Sequence, residues 1–157
     1  MRGADHGTTT TVRLSLLRAP KFPDPTADQG AHELTVSIRP GASIADAVEE
    51  GYRTNLAPRV VSGAQPVEAL FSVFNAALTI EAVKLAEDGS GDVVVRLYEA
   101  LGERSTGLLR ANFPVSEVSV TDLLEDRVDP PAGVVLGADS AELTLRPFQL
   151  VTLRFKR

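Results

Sequence analysis

Apolar and polar residues alternate with period two along much of the chain, which is the pattern of β-strands with one buried and one exposed face. In residues 32–39, Leu34, Val36 and Ile38 are apolar, whereas the residues between them are polar or charged. The same alternation marks residues 151–156. Further strands are predicted for residues 11–17, 67–74, 78–85, 93–98, 107–111, 117–120 and 141–145.

The connections between these segments are short and contain residues that interrupt sheets. Residues 87–91 read Glu-Asp-Gly-Ser-Gly, which is typical of a hairpin loop because glycine tolerates positive φ. Residues 129–133 contain consecutive prolines, which cannot donate to a β-ladder. Parallel strands need longer crossovers than these. The sequence therefore predicts an all-β fold, an antiparallel β-sandwich of about eight or nine strands with one short helix.

The predicted helix covers residues 43–54, where the apolar period changes. Ile44, Val48 and Tyr52 recur every fourth residue. Ser43 is followed three residues later by Asp46, which resembles a capping box. We expect an amphipathic helix that lies over the sandwich and covers one end of its core, with partner binding as the alternative.

Length and composition favour one globular domain. The chain has 157 residues, of which 43% are hydrophobic and 24% charged, enough to bury a substantial core. We expect residues 1–11 to form a flexible N-terminal end and residues 12–157 to form a single β-sandwich. No stretch reaches the roughly 20 apolar residues that a membrane helix needs.

Charge and reactive residues exclude several function classes. A net charge of -5 argues against nucleic acids and anionic membranes as partners. The chain has no cysteine, which excludes thiol catalysis, and the spacing of His6 and His32 with Asp5 and Asp28 is unlike a zinc motif. The sequence contains no recognisable catalytic triad, glycosidase carboxylate pair or phosphate loop. The residues alone predict neither a catalytic site nor a metal site.

The candidate functional site is a proline-rich loop over residues 18–32. Three prolines lie within six residues of this loop and stiffen its backbone. A stiff loop presents polar side chains with little entropy to lose on binding. It is interpreted as a binding or domain-docking loop, or alternatively as a stiff connector, and its candidate residues are Lys21, Asp24, Asp28, Gln29 and His32. From the strand alternation, His32 is expected to point into the core.

Three stretches of the chain resemble the C-terminal β-domain of family-38 glycoside hydrolases, the α-mannosidases. Residues 14–25, together with Asp28-Gln29-Gly30 and His32, resemble the family's strand–loop–strand signature. Residues 82–99 resemble its long hairpin, and residues 145–153 resemble its closing strand. The three stretches follow the family's order and extend the resemblance over the chain from residue 12 onward.

The resemblance implies a parent protein with retaining, zinc-dependent α-mannosidase activity. In the family, the aspartate nucleophile and the His/Asp zinc site lie in an N-terminal domain, and none of those residues can be matched here. The chain is therefore expected to be a non-catalytic C-terminal β-sandwich without a cofactor of its own. It would pack against the catalytic and helical domains of the parent, which bind zinc and the α-mannoside substrate. The resemblance also implies a cytoplasmic protein.

The alternative function is a free-standing carbohydrate-binding or structural interaction sandwich. Sugar-binding faces commonly stack pyranose rings on exposed aromatic side chains. The chain has no tryptophan and two tyrosines, which disfavours carbohydrate binding. A structural interaction module differs from a mannosidase domain in whether a catalytic domain is encoded upstream.

Overall fold

The chain divides into two compact units, Met1–Ile38 and Arg39–Arg157. The computed structural model describes residues 11–63 and 65–157, so residues 1–10, with most of the predicted flexible end, lie outside the described residues. Within the described part, all the regular elements belong to the second unit: one helix and nine strands.

The strands form two antiparallel sheets, as predicted. In chain order they are β1 (Phe71–Val73), β2 (Leu78–Leu85), β3 (Val93–Glu99), β4 (Ser105–Ala111), β5 (Glu117–Thr121), β6 (Arg127–Val128), β7 (Val134–Leu136), β8 (Ser140–Leu145) and β9 (Leu150–Lys156). One sheet has the order β1-β4-β8-β7 and the other the order β2-β3-β9-β5-β6. The all-β sandwich prediction is confirmed.

Alternate side chains of the two sheets meet in one hydrophobic core. Leu97 and Leu153 of the five-stranded sheet are fully buried, as are Leu109 and Leu143 of the four-stranded sheet. Phe155 contacts Phe71 of the opposite sheet edge-on, with ring centroids 4.9 Å apart. Each fully buried side chain of this size contributes about 1.5–3 kcal/mol, so this interface supplies the main driving force for folding.

The predicted helix is present as α1 (Ile44–Asn55), and the predicted capping box starts it. The Ser43 N–H and hydroxyl both donate to Asp46 Oδ2, and the Asp46 N–H donates to Ser43 Oγ. The helix does not cover the core, because none of its residues is buried. Its contact with the sandwich includes a hydrogen bond from the Tyr52 hydroxyl to the hydroxyl of Tyr98, whose strand neighbour Leu97 points into the core.

Two predicted strands, residues 11–17 and 32–39, are wrong. Neither segment is in a β-strand, and their apolar side chains are exposed. Alternation identifies a segment that can form a strand, but a strand also needs a neighbour that pairs with its N–H and C=O groups. Conversely, β6 and β7 were not predicted, because two and three residues are too few to display a period.

The core should be tested by truncating one phenylalanine inside it and one outside it. We expect Phe155→Ala to lower the free energy of unfolding by about 3–5 kcal/mol, because it removes buried contacts and leaves a cavity. Phe74→Ala is the matched control: this ring is 65% exposed, and the change should stay within about 0.5 kcal/mol. Urea unfolding of both variants measures the difference, and equal losses would contradict this core assignment.

Candidate functional site

The predicted docking loop, residues 18–32, is organised by hydrogen bonds between its own residues. The Asp24 carboxylate accepts from the backbone N–H of Thr26 at 2.8 Å and from its hydroxyl at 2.7 Å. The Thr26 hydroxyl and N–H hold the pKa of Asp24 below its usual value. The Gln29 side-chain amide donates to the Pro25 carbonyl at 2.9 Å. These bonds close a turn between residues 24 and 29.

Asp28 joins the start of the loop to its end. Its carboxylate accepts from the Ala19 N–H at 3.2 Å, and its carbonyl accepts from His32 Nε2 at 2.9 Å. Ala19 and Asp28 both have left-handed backbones, with φ of 43° and 58°. This conformation costs a non-glycine residue on the order of 1 kcal/mol, so the loop keeps its shape through these contacts rather than through backbone preference.

His32 does not point into a core. The side chain is exposed, and its ring is bonded to the Asp28 carbonyl of the same loop. The prediction failed because residues 32–39 join no sheet, so the alternation has no buried face on which to place the ring.

The loop brings the five candidate residues into one exposed segment but gives them two different roles. Asp24, Asp28, Gln29 and His32 use polar atoms within the loop, whereas Lys21 makes no hydrogen bond or ion pair with any described residue. Its neighbour Phe22, which sequence reasoning missed, is 88% exposed. An aromatic residue between a lysine and a proline in a polar loop was the available signal. The groups of the loop that are free for outward contact therefore include the Lys21 cation and the Phe22 ring, with the exposed Arg18 at the start of the loop.

In the sandwich, a buried carboxylate that the sequence did not reveal holds two connections together. Glu99 ends β3 and is fully buried. Its oxygens accept from the N–H groups of Leu101 at 2.9 Å, Gly102 at 2.8 Å and Phe148 at 3.1 Å. The first two donors follow β3, where the chain passes to the four-stranded sheet, and Phe148 lies where it returns from β8 to β9.

The surroundings of Glu99 keep it ionised. Burial alone would raise its pKa, but the N–H groups of Phe148, Leu101, Glu103 and Gly102 outweigh burial and hold the pKa below its usual value. Because these donors are backbone groups of the two connections, the geometry suits a structural carboxylate rather than a proton donor.

A second group of charges fastens the β2–β3 hairpin loop to β9. Arg154 donates to Asp92 at 2.8 Å and to Asp88 at 2.7 Å. The N–H and hydroxyl of Ser90, followed by Arg154, lower the pKa of Asp88 to about 2. These loop carboxylates have defined partners and are not freely solvated turn residues.

Glu125, in the turn after β5, is likewise a carboxylate with defined partners. Its side chain is 7% exposed and binds the Lys84 ammonium and the Glu87 N–H. Because Lys84 lies on β2 and Glu125 follows β5, this bond links segments that are far apart in sequence.

The described residues contain no ligand set for the zinc ion that the family resemblance implies. No group of three or more His, Cys, Asp or Glu side chains in this part of the chain could hold a metal ion. Asp5 and His6, which were considered as ligands, lie outside the described residues. Among the described helices, none is long and apolar enough to cross a membrane.

Comparison with known proteins identifies relatives for both the loop and the sandwich. Residues 77–153 match the family described as "Glycosyl hydrolases family 38 C-terminal beta sandwich domain". "Alpha-mannosidase 2C1" of Homo sapiens is 40% identical over 151 residues, which cover 90% of this chain and 14% of that protein. The Mus musculus protein of the same name is 37% identical over 90% of this chain and 14% of its own length. "Alpha-mannosidase G" of Dictyostelium discoideum is 31% identical over 92% of this chain. The chain thus spans 14% of the length of these relatives.

Removing the charge of Glu99 should destabilise the sandwich in a pH-dependent way. We expect Glu99→Gln to lower the free energy of unfolding by about 2–3 kcal/mol at pH 7, because an amide cannot accept from every N–H that the carboxylate satisfies. The lowered pKa means that this stabilisation is complete above the unfolded-state value, taken as 4.5, and is lost as pH falls through the folded-state pKa. The wild type should therefore approach the variant in acid.

The matched control for Glu99 is Glu103→Gln, which changes an exposed glutamate of the same connection. Its effect should stay within about 0.5 kcal/mol at every pH. Chemical denaturation between pH 2.5 and pH 7 gives both profiles. A Glu99→Gln deficit that persists unchanged at pH 2.5 would show that the ionised carboxylate is not the stabilising group.

The loop should lose local order without loss of the sandwich when Asp28 is truncated. We expect Asp28→Ala to accelerate hydrogen exchange through residues 19–32, since it removes the acceptor of the Ala19 N–H and leaves a left-handed backbone unsupported. Global stability should change by less than about 0.5 kcal/mol. Asp28→Asn is the control, because asparagine keeps an acceptor and tolerates this backbone. Equal exchange rates in the wild type and in Asp28→Ala would show that Asp28 does not stabilise the loop.

Proposed function

The sandwich of this chain belongs to the C-terminal β-sandwich domain of family-38 glycoside hydrolases, and from this we propose that the chain is the non-catalytic C-terminal part of an α-mannosidase. In this proposal it packs against the upstream catalytic domain and completes it. The observation that carries the proposal is the match of 90% of this chain to only 14% of a protein named as an α-mannosidase.

The chemistry of the sandwich supports a non-catalytic role. Retaining glycosidases use two carboxyl groups about 5 Å apart that face the scissile bond. Glu99 and Glu125, the deeply buried glutamates, instead bind backbone N–H groups and a lysine of the sandwich itself. We assign the nucleophile, the zinc ion and the α-mannoside site to the catalytic domain of the parent, for which we propose a cytoplasmic location. Neither nucleic acid nor membrane is a proposed partner.

We assign the contact with the catalytic domain to the loop over residues 18–32. Lys21 and Phe22 face outward, whereas Asp24 and Asp28 hold the backbone in place. A cation beside an exposed ring suits a partner surface that offers a carboxylate next to an apolar patch. Because the loop is already ordered by its own hydrogen bonds, little conformational entropy is lost on docking.

A chimera tests the proposal. The region of human Alpha-mannosidase 2C1 that aligns with this chain is replaced by this chain, and hydrolysis of an aryl α-mannoside is measured with zinc present. We expect the chimera to be active and the isolated chain to be inactive with or without zinc. Turnover by the isolated chain, or a folded chimera without activity, would contradict the proposed function.

Loop variants of the same chimera test the docking residues. We expect Lys21→Glu combined with Phe22→Ala to lower kcat/KM at least about tenfold, because small displacements next to an active site are costly. Phe74→Ala is the control for loss of an exposed phenylalanine and should leave kcat/KM unchanged. Equal activity of the loop variant and the control would contradict the docking role and show that the loop only connects its flanking segments.

A further inference from the structure

Two segments that flank the docking loop carry apolar side chains that the structure leaves exposed. The first is residues 12–17 and the second is residues 34–38. Neither is in a β-strand among the described residues. Six of their large apolar side chains are more than half exposed: Val12 (85%), Leu14 (59%), Leu16 (60%), Leu34 (56%), Val36 (55%) and Ile38 (81%).

The arrangement of these side chains is that of strands without a sheet. In each segment these six residues are two positions apart, so an extended backbone places each set of three on one face, with the half-exposed Leu17 on the other face of the first segment. Single exposed leucines are common on protein surfaces, but a row of three large apolar side chains in each segment marks a surface that another structure covers. Among the described residues, no β-ladder includes a residue of either segment.

We infer that the two segments complete a β-sheet of the preceding mannosidase domains by strand addition. This inference rests on the proposed function and names the mode of contact. The partner is a sheet with a free edge and an apolar face, located in the part of the parent that lies outside the 14% matched by this chain. Extended segments pair with such an edge through their main chain, and alternate side chains set the register.

The hydrogen bonds of the loop favour binding of both segments to the same partner. The bond from the Ala19 N–H to the Asp28 carboxylate brings the start of the loop to within hydrogen-bond distance of Asp28, near its end. The C-terminal end of the first segment therefore lies close to the part of the loop that leads into the second segment. A single sheet edge, or two edges of one sheet, can then receive both segments while the loop docks beside them.

Hydrogen exchange in the isolated chain and in the mannosidase chimera tests strand addition directly. We expect the amides of residues 12–17 and 34–38 to exchange rapidly in the isolated chain and at least about tenfold more slowly in the chimera. An active chimera in which both segments still exchange rapidly would overturn strand addition and leave the proposed function standing. An inactive chimera in which both segments are protected would overturn the proposed function and leave strand addition standing.

Substitutions at adjacent positions supply a matched pair. Val36→Asp places a charge on the apolar face, and Thr35→Asp places the same charge on the opposite face. In the chimera we expect Val36→Asp to abolish the protection of residues 34–38 and Thr35→Asp to preserve it. Val36→Thr is a milder change at the same position, and we expect it to reduce the protection by an intermediate amount. Equal effects of the two aspartates would contradict a one-sided strand.

A second copy of this chain is the competing occupant of the two segments. Sedimentation of the isolated chain, combined with hydrogen exchange, distinguishes the two. A stable dimer whose segments are protected to the same extent as in the chimera would assign the surface to self-association and overturn the inference. A monomer, or weak association without protection, is the result expected here.

Discussion

Glu99 is the group on which two of the connections between the sheets depend. Two of the chain's crossings between the sheets, the one after β3 and the one before β9, meet at Glu99, and backbone N–H groups at such corners have no ladder partner. A buried donor without an acceptor costs about 1–3 kcal/mol. One ionised carboxylate accepts from donors in both connections, so β3 and β9 are held side by side at the ends where the chain crosses between sheets.

Carboxylates that accept hydrogen bonds from nearby backbone groups also organise the docking loop. Asp24 and Asp28 accept hydrogen bonds from backbone and hydroxyl donors of the loop, so these carboxylates find partners without a second polypeptide. This leaves Lys21 and Phe22, together with Arg18, as exposed outward groups. In the proposed function, a loop built in this way is a contact surface that needs little reordering when it docks beside a catalytic domain.

The two units of the chain therefore differ in how far they are complete by themselves. The sandwich buries its own core and satisfies its own carboxylates, whereas the segments around the loop expose apolar rows that have no partner strand here. In the proposed function, the first behaves as a self-contained domain and the second as its attachment to the parent.

Sequence alone determined the class of fold, the helix with its capping box, and the existence of a stiff loop, because alternation, Ser43–Asp46 spacing and proline content are local properties. It also singled out Asp24 and Asp28, although not the hydrogen bonds that they make within the loop. Tertiary structure decided which alternating segments became strands, since pairing needs a neighbour that no local pattern identifies: β7 forms from three residues, and residues 32–39 remain unpaired. It likewise decided the environment of Glu99, because donors as distant in sequence as Phe148 reach this carboxylate only when the two sheets have assembled.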